Sequence, residues 1–217
     1  MAGPGHRFSS RVLRREWLSE SVFELEIERP RGFGFTAGQS IRVFVGEPGR
    51  DYSLAGGPSA ETLSICVRKI EGGAVSPFLA GAPLGAFVTF TGPHGVFTLP
   101  ASARPQVWAA TGVGVAPFRA MVRAGAAGFT LLHGVRASRE LFYSDELEAS
   151  AARYVPCLSR ETGSGRFAGR VTGWAAVHLP SGTYDFSLCG NRRMVRDFLA
   201  IVDERFPGSR VFTEIFF

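Results

Sequence analysis

Apolar and polar positions alternate in short runs through the first hundred residues. Residues 22–27, 41–45, 63–68 and 87–90 change character from one position to the next, which is the period of a strand with one buried face. Gly/Pro-rich turns such as Gly46-Glu47-Pro48-Gly49 and Gly81-Ala82-Pro83 separate them. The spacing predicts an antiparallel sandwich or barrel from Arg11 to about Leu99. One short helix is expected over 76–80, with Ser76 as its N-cap and Pro77 in its first turn.

Beyond a linker at 100–105 the period changes. Buried-type strands at 106–110, 129–133, 154–158, 186–189 and 211–213 alternate with helical patterns at 116–123, 143–150, 169–177 and 194–206. That is the βαβ signature of a mostly parallel, doubly wound sheet. The chain therefore divides into a β domain over 1–100 and an α/β domain over 101–217, with no internal repeat. Its 217 residues are enough for two domains of about a hundred each.

An apolar fraction of 45% with 20% charged residues is that of an ordinary globular protein. The start has no apolar core for a secretory signal, and no run approaches the roughly eighteen apolar residues that cross a bilayer. The expectation is a cytoplasmic protein with no membrane contact. Cys66, Cys157 and Cys189 are odd in number and widely spaced, which argues against a disulfide framework and against C-x-x-C zinc or iron–sulfur sites. His6, His94, His133 and His178 show no ligand spacing and read as surface or satisfied core histidines. With no metal site in view, redox chemistry is expected to use a bound organic cofactor. The net charge is +5, and of 24 basic residues all but Lys69 are arginines. Such a charge steers an acidic partner; the arginines are scattered and belong to no nucleic-acid module, so no nucleic acid is expected.

Four stretches carry candidate chemistry. Arg50-Asp51-Tyr52-Ser53 joins a cation, a ring and a hydroxyl, and on a strand Arg50 and Tyr52 share a face. A flavin dinucleotide would use all three, and a polar strand end beside a hairpin would need the same residues. Gly73-Ala74-Val75-Ser76 opens the short helix, where main-chain N–H groups suit a phosphate or a plain N-cap. Thr111-Gly112-Val113-Gly114 follows a buried strand and opens a helix, as a dinucleotide turn does, with Pro117 in place of the third glycine of the general fingerprint. Cys189-Gly190-Asn191 ends a strand at the carboxyl edge, where open α/β sheets bind ligands.

In this order, and with Leu158-Ser159-Arg160-Glu161-Thr162 between the last two, the motifs resemble the ferredoxin-NADP reductase family, and most its bacterial ferredoxin/flavodoxin-NADP reductases. The resemblance runs from about Val22 to the last residue. It implies a Greek-key β-barrel that binds FAD, followed by an NADP(H)-binding α/β domain whose C-terminal tail returns to the flavin. FAD would be held by Arg50, Tyr52 and Ser53, by Gly73, Ala74, Val75 and Ser76, and by Phe216 and Phe217, the last resting near the adenosine. NADP would be received by Thr111, Gly112, Gly114 and Pro117 and by Cys189, Gly190, Asn191 and Met194. Ser159, Arg160 and Arg136, with Arg166 and Arg170 as further contributors, would hold its 2′-phosphate and favour NADPH over NADH. Ser53, Cys189, Glu214 and Phe216 would surround the reacting atoms, Glu214 serving proton delivery to flavin N5. Hydride would pass between nicotinamide and flavin, and single electrons between flavin and an acidic ferredoxin or flavodoxin, in a monomer. Here Phe216 stands where relatives carry Tyr, and Arg192-Arg193 where most carry Pro-x, an altered helix start. A reductase component of an oxygenase, a free-flavin reductase and a non-catalytic nucleotide-binding or redox-sensing subunit of the same fold are the alternatives.

Overall fold

A computed structural model of the chain describes residues 6–163 and 165–216. Its elements form two compact units, one of Met1–Thr98 with Arg119–Ala124, the other of Leu99–Phe118 with Gly125–Phe217.

The first unit is built from β1 (Phe8–Trp17), β2 (Val22–Glu28), β3 (Ser40–Phe44), β4 (Arg50–Ser53), β5 (Thr62–Arg68), the short helix α1 (Val75–Gly81) and β6 (Phe87–His94). The strands pair antiparallel in the order β4-β3-β6-β1-β2-β5. A single bridge from Leu54, just past β4, to Ile65 in β5 joins the two edges, so the sheet closes as a barrel. Strand β1 makes this possible by serving both halves: Phe8–Arg11 pair with β6, and beyond a register shift after Val12 the strand runs along β2. Only Ser10 and Val12 of β1 are buried, so its hydrophobic alternation is too weak to mark it as a strand in the sequence. Inside lie the apolar faces that the alternation predicted, among them Phe23, Leu25, Ile41, Val43, Ile65 and Phe90. Glu24, buried on β2, is neutralised within this unit by Arg119 at 2.5 Å, an ion pair that would be costly to break from one side.

Helix α1 begins one residue earlier than expected. Ala74 occupies the N-cap with no side-chain cap, and the Ser76 hydroxyl instead accepts the Ile70 N–H at 3.0 Å, fastening the loop that leads into the helix.

The second unit alternates strands and helices: β7 (Gln106–Thr111), α2 (Ala116–Arg123), β8 (Thr130–Val135), α3 (Ser144–Ser150), β9 (Arg153–Leu158), β10 (Phe167–Ala168), α4 (Val171–His178), β11 (Asp185–Asn191), α5 (Arg192–Arg205) and β12 (Arg210–Phe216). All pairs are parallel, in the order β10-β9-β8-β7-β11-β12. Val107, Ala109, Leu132 and Leu188 pack under α4 and α5 through Trp174, Val195 and Phe198. On the opposite face Trp108 stacks on Phe118 of α2 and on Phe129. Both faces are covered, which is why these strands read as continuous apolar runs. At the amino edge Arg210 grips buried Asp185 through two bonds of 2.8 and 2.6 Å and holds its carboxyl down at about 2.

His133 departs from its expected role. It is fully buried on β8, but only Nδ1 has a partner, the Tyr154 hydroxyl at 2.8 Å, while Nε2 has none. Burial pulls its pKa down to about 4, so the ring is neutral at pH 7. The unfolded chain binds this proton more readily than the folded one. The stability that His133 contributes is therefore complete above about pH 6.5 and is lost as pH falls toward 4. Urea unfolding at pH 7.5 and pH 5 is expected to show about 2 kcal/mol less loss of stability on acidification in His133→Gln than in the parent; equal losses would assign the acid sensitivity to other groups.

Candidate functional site

The parallel sheet brings most of the predicted residues to one edge. Thr111 ends β7, Asn191 ends β11, Phe216 ends β12, and Arg136 and Ser159 directly follow β8 and β9. All lie at the carboxyl ends of parallel strands, where loops and helix starts leave main-chain donors pointing outward.

At the centre two backbones touch. Gly112, with φ +55°, turns the chain out of β7 into a 3-10 turn over Gly112–Val115 that leads into α2. The turn passes so close over β11 that a Cβ on Gly114 would lie 2.4 Å from the Cys189 carbonyl oxygen. Gly190, at φ +151°, is equally confined: a Cβ there would lie 2.0 Å from the Thr111 hydroxyl oxygen. That hydroxyl accepts the Asn191 main-chain N–H at 3.1 Å and its Nδ2 at 3.2 Å. The Asn191 Oδ1 in turn accepts the Met194 N–H at 2.8 Å and caps α5. Helix α5 therefore starts at Arg192, two residues earlier than its apolar pattern suggests, and the missing proline does not disturb its start. The Met194 side chain packs into the core under the helix, so only its N–H takes part in this edge. Pro117 is buried in the first turn of α2, a position that needs no N–H donor.

Cys189 pairs in register with Glu214 and Asn191 with Phe216. The Cys189 thiol is fully buried and lies 3.8 Å from a Glu214 carboxylate oxygen. Burial first, and then the carboxylate, push its pKa well above the ordinary thiol value, so it stays protonated. Phe217 lies outside the described residues.

A second cluster sits beyond β8 and β9. The Ser159 N–H donates to the Val135 carbonyl at 3.0 Å and the Arg160 N–H to the Arg136 carbonyl at 3.0 Å, so the two loops run side by side. Arg136 and Arg160 are both exposed, and among the described residues neither guanidinium has an acid partner. A cleft lined by Ser159, Arg160, Glu161, Thr162 and Gly169 opens there. Arg166 differs: it lies 3.4 Å from Glu161 and is already engaged. Arg170 is exposed at the N-cap of α4. Ser138 and Glu161, which bind each other in this cluster, carry no signal in the sequence because only the fold brings residues 23 positions apart together.

In the first unit, Arg50 and Tyr52 share one face of β4 and Ser53 ends the strand. Arg50 is exposed, and among the described residues its guanidinium reaches only the Gly49 carbonyl, at 3.1 Å. Tyr52 is half-buried, and burial pushes its hydroxyl up to about 12. The Ser53 side chain is buried. At Gly73 a Cβ would press on the Ile70 carbonyl oxygen at 3.1 Å, so the backbone itself faces whatever docks before α1. An arginine without an acid partner, a helix start without a side-chain cap and an aromatic ring form a donor set that fits a flavin dinucleotide.

Two family models and several known proteins are similar to this chain. Residues 10–99 match the family model of the oxidoreductase FAD-binding domain and residues 109–199 that of the oxidoreductase NAD-binding domain. A ferredoxin–NADP reductase B of Sorangium cellulosum is 38% identical over 80% of this chain and 77% of its own length. The toluate 1,2-dioxygenase electron transfer component of Pseudomonas putida is 34% identical over 82% of this chain, but the match spans 58% of that protein. Among solved structures, a cytochrome P450 reductase from Amycolatopsis superposes with a TM-score of 0.85 at 26% identity, over 97% of this chain and 70% of that one. A ferredoxin NADP+ reductase from Neisseria gonorrhoeae, solved with bound FAD and NADP, gives 0.84 at 24% identity over 97% and 99%.

The backbone contact at the centre of the edge makes Gly114 intolerant of a side chain. Gly114→Ala is expected to cost about 1–3 kcal/mol as the turn is forced off β11, and to weaken NADP+ binding without lowering the FAD content of the purified protein. Thermal melting and titration calorimetry check this; an unchanged melt would mean that the turn moves away freely.

Proposed function

The chain belongs to the ferredoxin-NADP reductase family, and from that premise we propose that it is an FAD-containing, NADPH-dependent reductase that serves a small acidic carrier of the ferredoxin or flavodoxin kind. The observation that carries the choice of nucleotide is the pair Arg136 and Arg160, held side by side by a main-chain bond of 3.0 Å with no acid on either guanidinium among the described residues. A nucleotide 2′-phosphate is the partner that such a pair fits, whereas a free ribose hydroxyl calls for an acid. The net charge of +5 supports an acidic carrier through steering.

Bound FAD supplies the exchange between a two-electron hydride and single electrons. The chain's own residues do the rest. Arg50 and the first amides of α1 would hold the pyrophosphate, Tyr52 would offer a face to the ring system, as would Phe216 from its own unit, and the Ser53 hydroxyl would offer a hydrogen bond to N5. Thr111, Gly112 and Gly114 receive the nucleotide with main-chain donors and no side-chain bulk, while Pro117 starts α2 and Gly190 and Asn191 complete the edge. Ser159 and Arg170 join the arginine pair. The Cys189 thiol, protonated and compact, would let the nicotinamide approach, and Glu214 would serve proton delivery to the bound flavin.

Service to an oxygenase is the second reading, favoured by the 34% identity to the dioxygenase electron transfer component. Turnover assays offering a ferredoxin, a flavodoxin and a terminal oxygenase separate the two readings, and NADPH turnover with any acceptor excludes a non-catalytic subunit. Anaerobic NADPH is expected to bleach the visible absorbance of the yellow protein. Arg160→Ala is expected to raise KM for NADPH about 10- to 100-fold, the value of a lost charge-assisted bond, and to move KM for NADH less than about twofold. A preference for NADPH unaltered by that substitution sinks the assignment.

A further inference from the structure

The cleft beside the arginine pair also contains an acid. Glu161 follows Arg160 directly and lines the same opening. A free carboxylate there would repel a 2′-phosphate and offer a hydrogen-bond acceptor to the 2′-hydroxyl of NAD. The fold does not leave it free.

The Ser138 N–H donates to Oε2 of Glu161 at 2.8 Å, and the Ser138 hydroxyl lies 2.8 Å from Oε1 and 3.1 Å from Oε2. Arg166 stands 3.4 Å from Oε1. These contacts, the Ser138 main-chain bond foremost, hold the carboxyl below its ordinary range, so it is ionised and both of its oxygens are engaged, by Ser138 and Arg166. The same bonds tie the loop after β8 to the loop after β9. Ser138 opens a 3-10 turn over Ser138–Glu140, and Glu140 closes back on the Arg136 N–H at 2.9 Å. Arg136 is thus fixed from both sides: its N–H by Glu140, its carbonyl by the Arg160 N–H. Between residues 135 and 161 the loops are laced at three successive points, Ser159 to Val135, Arg160 to Arg136 and Glu161 to Ser138. The first is reinforced by the Ser159 hydroxyl, which donates to the Val135 carbonyl at 3.2 Å, and the last is made wholly through the Glu161 side chain, which substitution can remove.

Resting on the NADPH assignment above, we propose that Glu161 is the positioning residue of this site. Clasped to Ser138, it holds the Arg136 and Arg160 loops together so that both guanidinia serve one phosphate, while Arg166 and Ser138 cancel its own repulsion. On this reading the acid raises selectivity for the phosphorylated nucleotide.

The test is calorimetric binding of 2′-phospho-AMP and 5′-AMP to the FAD-loaded full chain, which needs no turnover. Glu161→Ala is expected to weaken 2′-phospho-AMP about tenfold, as the loss of one charge-assisted strut would, and 5′-AMP less than about twofold. Glu161→Gln keeps one acceptor oxygen and is expected to recover part of the loss. Ser138→Ala, which removes a single hydroxyl and poses little risk to folding, is expected to act in the same direction by about threefold. Glu161→Ala is expected to cost less in the Arg160→Ala background than in the parent, and nothing more once both Arg136 and Arg160 are alanine, because a positioning residue acts through the groups it positions. Unchanged binding of 2′-phospho-AMP in Glu161→Ala and Ser138→Ala overturns the proposal, as does tighter binding, which would make Glu161 a simple repeller. If Arg160→Ala itself leaves 2′-phospho-AMP binding unchanged, the NADPH assignment falls first; if only the Glu161 and Ser138 variants are silent, that assignment stands and the clasp alone is wrong.

Discussion

The second unit depends on one close contact, the passage of the Gly112–Val115 turn over the end of β11. With a Cβ excluded at Gly114 by the Cys189 carbonyl and at Gly190 by the Thr111 hydroxyl, the two chain segments come nearer than any side chain would permit. Thr111 and Asn191 then lock the crossing with three hydrogen bonds that also start α5. The consequence is geometric. The 3-10 turn, the capped start of α5 and the ends of β11 and β12 all lie at one edge of the sheet. An extended ligand with a phosphate at its middle suits such an edge, since backbone and helix ends supply charge-compatible donors without lysine or metal.

The two clusters of this edge differ in character. The glycine crossing is neutral and closely confined. The Arg136–Arg160 cluster is exposed and charged, so its interactions are more subject to salt. Its positive groups are useful only if they do not find local acids, and the structure arranges this by occupying the acids first. Glu140 is taken by the Arg136 N–H and Glu161 by Ser138. Exposed arginines that keep no acid partner beside two such acids are a cost in side-chain order that surface charge alone would not require.

The sequence shows much of this and conceals a definable part. Alternation marks β2, β3, β5 and β6 because each buries a full apolar face, and apolar runs mark β7, β8, β9 and β11 because both faces are covered. Strand β1 is hidden because its outward residues are charged and only two of its side chains enter the core. The Gly112–Val115 turn is legible from its glycines, since the approach of Gly114 to the Cys189 carbonyl leaves no room for a Cβ. Ser76 misleads: a serine at a helix start caps the helix in most settings, but here its hydroxyl reaches back to Ile70 instead. The Ser138–Glu161 clasp and the unpartnered His133 nitrogen depend on which strands lie side by side, and no local pattern encodes strand order.

Cys189 shows how placement decides chemistry. Its thiol sits one residue before the glycine that touches Thr111, on a strand with no room for movement, and a carboxylate lies 3.8 Å from the sulfur. An exposed cysteine at a helix start or beside a cation would ionise and act as a nucleophile or a redox thiol. Burial and a neighbouring negative charge work the other way, so this sulfur remains a protonated, polarizable wall of small size. Replacement by a larger residue would fill the space next to the crossing, and replacement by an ionising group would place two like charges beside one another. The pairing of Cys189 with Glu214 in strand register therefore sets a neutral thiol, not a second anion, beside the carboxylate.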